Sequence, residues 1–262
     1  MKIGFIGFGN MAQAMARGLI LKDVVKASDI YCCAKNWDKL CMNTTPYGFI
    51  PCKDVETLIS SVEIVIIAVK PYMVNQVVEP IKNILKDKIV VSTATGYTFE
   101  KYEKILEEGT HHISTIPNTT VSVGEGIIIC EETHSLSEQE LKTFEEVFSK
   151  IALIKRVETR LLGICGTVSG CAPAFVSMFI EALSDAAVLH GLPRELSYEL
   201  ASKMILGTGK MQLDTHTHPG IMKDAVSSPG GTTIVGVAAL ERKGMRAAII
   251  DAVDAIQIKR KS

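Results

Sequence analysis

The chain reads as an α/β protein, with a doubly wound parallel sheet over residues 1–157 followed by an all-helical C-terminal dimerisation domain over 158–262. Three observations predict this architecture. Strand-like and helix-like segments alternate through the first half, which implies right-handed βαβ units. The apolar runs at 64–69 and 89–92 lack polar alternation, as strands covered on both faces require. From about Arg160 the strand-like runs stop and helical periodicity takes over.

The elements follow in order. An apolar strand from Ile3 runs into Gly7-Phe8-Gly9-Asn10-Met11-Ala12, and a helix follows over 13–21. This is the G-x-G-x-x-A pattern of a dinucleotide-binding Rossmann unit. Gly7 permits the tight turn, Gly9 lets the backbone approach a pyrophosphate, and Ala12 allows close helix–strand packing. A second strand is expected at 29–33, a helix at 36–42, a short strand at 49–50, and a helix at 56–60 with Asp54 as its N-cap. The buried strand at 64–69 ends at Lys70-Pro71, and helical periodicity is read over 73–85. The strand at 89–92 leads into Thr93-Ala94-Thr95-Gly96, then a helix over 99–106. Strands at 111–116 and 126–130 flank the Pro117-Asn118 turn, Ser137 and Glu140 form a capping box, and a strand at 151–154 closes the sheet.

Helices are read over 173–189, 193–211, 233–242 and from 245 onward. The stretch 174–188 (AFVSMFIEALSDAAV) is almost wholly apolar or small, too apolar for a surface helix in a domain of about 100 residues. It is expected to be buried, either centrally or against a second subunit.

Composition excludes several classes. With 28 Lys+Arg against 29 Asp+Glu, the net charge is −1 and no basic block tracks a nucleic-acid backbone or an acidic membrane surface. No stretch is read as approaching the roughly 20 apolar residues of a membrane helix, and the apolar start is interrupted by Asn10, Gln13 and Arg17. A cytoplasmic protein is expected, with no nucleic-acid or membrane partner. Seven cysteines without C-x-x-C spacing read as reduced, mostly buried thiols. His111-His112 and His216-Thr217-His218 lack companion ligands at a recognised spacing, so no metal is expected.

Ligands of an open α/β sheet bind beyond the carboxyl ends of its strands. The second strand ends at Ala34-Lys35-Asn36, where an NAD-preferring site usually carries an acid for the ribose 2′-hydroxyl. Lys35 and Asn36 suit a 2′-phosphate instead, so NADP(H) is the expected cofactor and NAD(H) the second choice. Ala68-Val69-Lys70-Pro71 and Thr93-Ala94-Thr95 end the next two strands and should border the nicotinamide half. Late in the chain, Ser227-Ser228-Pro229-Gly230-Gly231-Thr232-Thr233 precedes a helix. Its backbone N–H groups and two hydroxyls make a nest for an anion, most simply a substrate carboxylate.

These residues resemble the pyrroline-5-carboxylate reductase family: IGFIGFGNMAQAM at the start, AVKP at 68–71, IPNT at 116–119, the stretch 169–195, and HPGIMKDAVSSPGGTTI at 218–234. The likeness spans nearly the whole chain in order. It implies NAD(P)H-dependent reduction of the cyclic imine 1-pyrroline-5-carboxylate to L-proline, the last step of proline biosynthesis. It also implies an interlocked homodimer, sometimes assembled into a larger ring such as a decamer. By motif position, Gly7, Phe8, Gly9, Asn10, Met11, Ala34, Lys35, Asn36, Ala68 to Pro71 and Thr93 to Thr95 would contact the cofactor. Val226, Gly230, Gly231, Thr232 and Thr233 would bind substrate, with Thr233 nearest the ring nitrogen and assigned the catalytic role. Departures occur at Cys171-Ala172, where many members read S-G, at Ser114-Thr115 before Pro117-Asn118, and at Ala225. They keep open a related cyclic imino acid as substrate, or a non-catalytic dinucleotide-binding paralogue. A β-hydroxyacid dehydrogenase, which needs a lysine on a helix of its second domain, is excluded, since no lysine lies between Leu161 and Ser202.

Overall fold

A computed structural model describes residues 1–261. The chain forms two compact units, Met1–Gly170 and Cys171–Ser262.

The first unit is built on an eight-stranded sheet of order β3-β2-β1-β4-β5-β6-β7-β8. Its strands are β1 (Ile3–Ile6), β2 (Ile30–Cys33), β3 (Ile50–Pro51), β4 (Ile64–Ile67), β5 (Ile89–Ser92), β6 (His112–Pro117), β7 (Gly126–Glu131) and β8 (Ala152–Val157). The order reverses direction at β1, as in a doubly wound sheet. Helices α1 (Asn10–Leu21), α2 (Trp37–Thr44), α3 (Val55–Ser60), α4 (Val74–Val78), α5 (Lys82–Leu85), α6 (Phe99–Glu103) and α7 (Glu138–Phe148) connect them. The β1 and β4 strands are wholly buried, which explains their unbroken apolar runs.

One feature of this unit makes the expected, mostly parallel sheet specific, and another differs from expectation. The pair β6–β7 is antiparallel, while every other pair is parallel. Only a short 3₁₀ turn, Thr119–Val123, separates β6 from β7, too little chain for the crossover that a parallel pair needs. The helix read over 73–85 is divided into a 3₁₀ turn at Pro71–Met73, α4, a second 3₁₀ turn at Glu79–Ile81, and α5. Pro80 has no N–H for the helical ladder and its ring crowds the preceding turn.

The local signals hold. Asp54 accepts from Thr57 N at 2.7 Å and caps α3. Ser137 and Glu140 form the reciprocal capping box of α7. All seven cysteines are free, with Cys32, Cys33, Cys52 and Cys130 buried. Burial pushes the Cys33 thiol up to about 11, so it stays protonated at neutral pH. Of the adjacent pair, His111 Nδ1 lies 2.6 Å from Glu140 and buried His112 Nε2 lies 2.7 Å from Glu103.

A helical run begins before the unit boundary with α8 (Leu162–Gly166) and a π-helical turn at Thr167–Cys171. It continues into α9 (Ala172–Leu189). The helical run Thr159–Leu189 is long enough, and in one 18-residue window apolar enough (mean hydropathy 1.6), to cross a membrane by length and composition. That corrects the expectation that no stretch approaches such a length. The run went unread because the helical path through 159–171 is continuous with α9 despite Pro173. Pro173 sits in the first turn of α9, where its missing N–H costs nothing.

The second unit adds α10 (Arg194–Thr215), α11 (Pro219–Ala225), α12 (Thr232–Arg242) and α13 (Met245–Lys261). Helix α11 escaped the periodicity reading because it has only seven residues. His216 ends α10 in the left-handed conformation, φ 53°, and the His218 side chain accepts from Gly220 N to cap α11. Within this unit only Ser184, Ser197 and Ala201 are buried among the described residues. On α9, Val176, Met178, Phe179 and Leu183 are 37–68% exposed.

Candidate functional site

The register of the first unit builds the cofactor edge. Ile6 lies opposite Cys33 and Ile67, and Ile67 lies opposite Ser92, so β1, β2, β4 and β5 end level. The ladder continues one step further, with Gly7 N donating to Cys33 O at 2.8 Å, Ala68 N to Ile6 O at 2.8 Å and Thr93 N to Ile67 O at 3.0 Å. Gly7, Ala34, Ala68 and Thr93 therefore leave the sheet in one row.

Gly7 has φ +89°, and a Cβ there would lie 2.8 Å from both Ala68 O and Val69 Cγ1. Glycine is required on both counts. At Gly9 a Cβ would meet nothing within 4 Å, which leaves open space over the N-terminus of α1. That helix has no side-chain cap, so its first N–H groups are available to a pyrophosphate. Ala12 is 1% exposed against the core, as its place in the motif demands.

Phe8 differs from its neighbours. Its ring is 5% exposed and lies edge-on to Phe5 at 6.0 Å and Phe49 at 5.9 Å. Its carbonyl accepts from Gln13 Nε2 at 3.1 Å. Met11, Ala34 and Ala68 are partly buried against the same core. Asn10, Lys35, Asn36, Lys70, Pro71 and Thr95 are exposed along the edge.

Asn36 serves two ends. Its Oδ1 accepts from Lys39 N at 2.9 Å and caps α2, which orients its amide NH₂. Behind β5, Ser92 Oγ donates to the buried Tyr102 hydroxyl at 2.8 Å and accepts from Ala94 N at 3.2 Å, fixing the Thr93–Ala94–Thr95 turn. Sequence reasoning missed this support because Tyr102 lies ten residues from Ser92 and carries no motif. The Pro117-Asn118 turn is locked likewise. Asn118 is 4% exposed, donates to Ser169 O at 3.0 Å, and accepts from Ile127 N and Thr120 Oγ1.

In the second unit, Gly230 has φ +71°, and Gly231 N donates to Ser228 O at 3.0 Å. A Cβ at Gly231 would lie 2.5 Å from Ser228 Oγ. Gly231 caps α12 without a side-chain hydrogen bond, and Thr232 and Thr233 are exposed in its first turn. Val226 is 63% exposed just after α11. Gly230, Gly231, Thr232 and Thr233 thus meet at one helix start, where the first-turn N–H groups beyond Gly231 and two hydroxyls fit a carboxylate.

The family description "Pyrroline-5-carboxylate reductase dimerisation" matches residues 159–262. "NADP oxidoreductase coenzyme F420-dependent" matches 2–96. A pyrroline-5-carboxylate reductase of Treponema pallidum is 38% identical over 97% of this chain and 98% of its own length. The chain belongs to the pyrroline-5-carboxylate reductase family. The Escherichia coli pyrroline-5-carboxylate reductase is 36% identical over 96% of this chain and 94% of its own length. A crystal structure of the Plasmodium falciparum pyrroline carboxylate reductase with NADP bound superposes with TM-score 0.87 at 30% identity, covering 99% and 96% of the two chains. Like its family, the chain is an oxidoreductase that uses NADP(H), acts on a small molecule and works as a homo-oligomer.

Proposed function

We propose that the chain reduces 1-pyrroline-5-carboxylate to L-proline with NADPH, and that the uncapped start of α12 holds the substrate carboxylate. The carrying observation is the helix start at Gly231, where no side chain caps the first turn and both threonines are exposed. An anion there meets N–H groups and the positive end of the α12 dipole. NADPH supplies the hydride that adds to the imine carbon. The protein residues position: Gly9 and the α1 N-terminus receive the pyrophosphate, Lys35 and Asn36 the 2′-phosphate, and the turns 68–71 and 93–95 the nicotinamide half. Thr233 Oγ1 hydrogen-bonds the ring nitrogen. A substrate already protonated at nitrogen needs no strong acid from the protein, so positioning carries the rate.

The division of labour is a Rossmann domain over 1–157 and a substrate-binding, dimerising domain over 158–262. The apolar face of α9 is closed by a second copy rather than by lipid. The dimers assemble further into a ring such as a decamer, and the protein is cytoplasmic. Oxidation of NADPH and of NADH with 1-pyrroline-5-carboxylate tests the activity. Turnover with a preference for NADPH is expected, and no turnover in a protein that still binds NADPH would overturn it. Thr233→Ala should lower kcat/KM about 10- to 100-fold, the loss of one hydrogen bond to a charged group. An unchanged value would remove Thr233 from the reaction.

A further inference from the structure

A cation and an aromatic ring stand together at the carboxyl edge of β2 and β3. These strands are parallel, with Cys32 opposite Pro51, and Cys52 N donates to Cys32 O at 2.8 Å. The register therefore delivers Lys53 beside Ala34-Lys35-Asn36. The Lys53 ammonium lies 5.9 Å from the centroid of the Trp37 ring, which is 38% exposed at the first position of α2.

The charges around this pair favour an anion. Lys35 and Lys53 are both exposed, and neither joins an ion pair among the described residues. The carboxylate next to Lys53 is Asp54, which is committed to its own helix through Thr57. Hydrogen bonds from the Thr57 side chain and backbone hold that carboxyl below its usual range. No acid occupies 34–36 to accept from a free ribose 2′-hydroxyl. An exposed indole with a lysine against it offers a flat π face for a base and a point charge for a phosphate.

We propose that Lys53 is a second cation for the 2′-phosphate of NADP(H) and that Trp37 is the face on which the adenine stacks. Cofactor choice is then set by the turn after β3 as well as by the turn after β2. The inference rests on assigning Lys35 and Asn36 to the 2′-phosphate.

Trp37 is the single tryptophan of the chain, so its fluorescence reports on this position alone. The test is calorimetric titration of the full-length homo-oligomer with 2′,5′-ADP and with ADP, alongside Trp37 emission. Lys53→Gln should weaken 2′,5′-ADP about tenfold, the worth of one charge-assisted hydrogen bond, and leave ADP within about twofold. Trp37→Leu should weaken both nucleotides by a similar factor of about ten, as loss of stacking does. Nucleotide should quench the Trp37 emission of the unaltered protein. An unchanged ratio of affinities in Lys53→Gln overturns the role of Lys53, and unchanged emission at saturation overturns that of Trp37. If the unaltered protein binds 2′,5′-ADP no better than ADP, the assignment of Lys35 and Asn36 falls with it.

Discussion

In the first unit Ile3, Phe5, Ile64 and Ile66 are all 0% exposed, whereas in the second Met178, Leu200, Val235 and Ile250 are 54–68% exposed. The contrast is one of where the core lies. The sheet covers its own apolar surface with its own helices. The helical unit buries one apolar side chain, Ala201, among its described residues. A chain of that size needs far more burial to repay its conformational entropy. The match of 159–262 to a dimerisation family is consistent with a unit of this kind, and the proposed reading closes its open faces with a second copy.

The largest test of this contrast places a charge on the open face. In the proposed α9 interface Met178→Asp would meet a second copy's apolar surface, and a buried unpaired carboxylate costs several kcal/mol, counted twice in a symmetric interface. Loss of the oligomer by light scattering, with activity lost in step, is the expected outcome. An oligomer of unchanged mass would mean that α9 is not part of the shared core.

The matching change inside the first unit should act without touching assembly. Gly18 of α1 packs on the 3₁₀ turn after β6, and a Cβ there would lie 2.0 Å from Val121 O. Because the obstacle is backbone, the helix must shift, at a cost of about 1–3 kcal/mol. Gly18→Ala should lower the thermal midpoint and weaken NADPH binding, since the same helix presents its N-terminus to the pyrophosphate. A midpoint equal to that of the unaltered protein would show that α1 floats freely on this turn.

A smaller effect distinguishes the units by pH. Burial disfavours the His112 imidazolium and lowers its pKa from 6.5, although the hydrogen bond that His112 donates to the Glu103 carboxylate opposes this. Between the lowered folded value and 6.5 the folded state thus binds fewer protons than the unfolded one. Stability present above that pH is lost as the pH falls toward the folded value. Glu140 acts later in the same direction: burial alone would raise its carboxyl, but hydrogen bonds from His111 and Ser137 outweigh it and hold it below 4.5. Acid unfolding should therefore begin in the first unit. His112→Gln should flatten the profile between pH 7 and 5, and an identical profile would dismiss His112 as the sensitive group.

Much of the first unit was legible because its signals are local. Gly7 declares its positive φ, Asp54 and Ser137 declare caps, and four level strand ends follow from four apolar runs. What escaped depends on register or on side-chain direction. Phe8 occupies a cofactor motif yet turns its ring into the core, and Tyr102 supports Ser92 across a turn. Trp37 and Lys53 meet only because β2 pairs with β3. In the second unit the apolar sequence of α9 announces burial, whereas Val176, Met178, Phe179 and Leu183 are exposed.

The smallest test asks whether the polar contacts of the second unit hold it together alone. Arg194 pairs with Asp185 at 2.6 Å, donates to Ser184 at 3.0 Å and lies 5.3 Å from the Tyr198 ring, clasping α9 to α10. Ser184 and Ser197, both buried, share a hydrogen bond at 2.5 Å beneath it. The ion pair is exposed and screened, so Arg194→Ala should cost less than about 1 kcal/mol. Ser184 keeps Ser197 as a partner and is not orphaned. If the unit instead unfolded, as judged by loss of helical circular dichroism, the clasp and not the shared apolar core would be its main support. That result would reverse the contrast drawn between the two units.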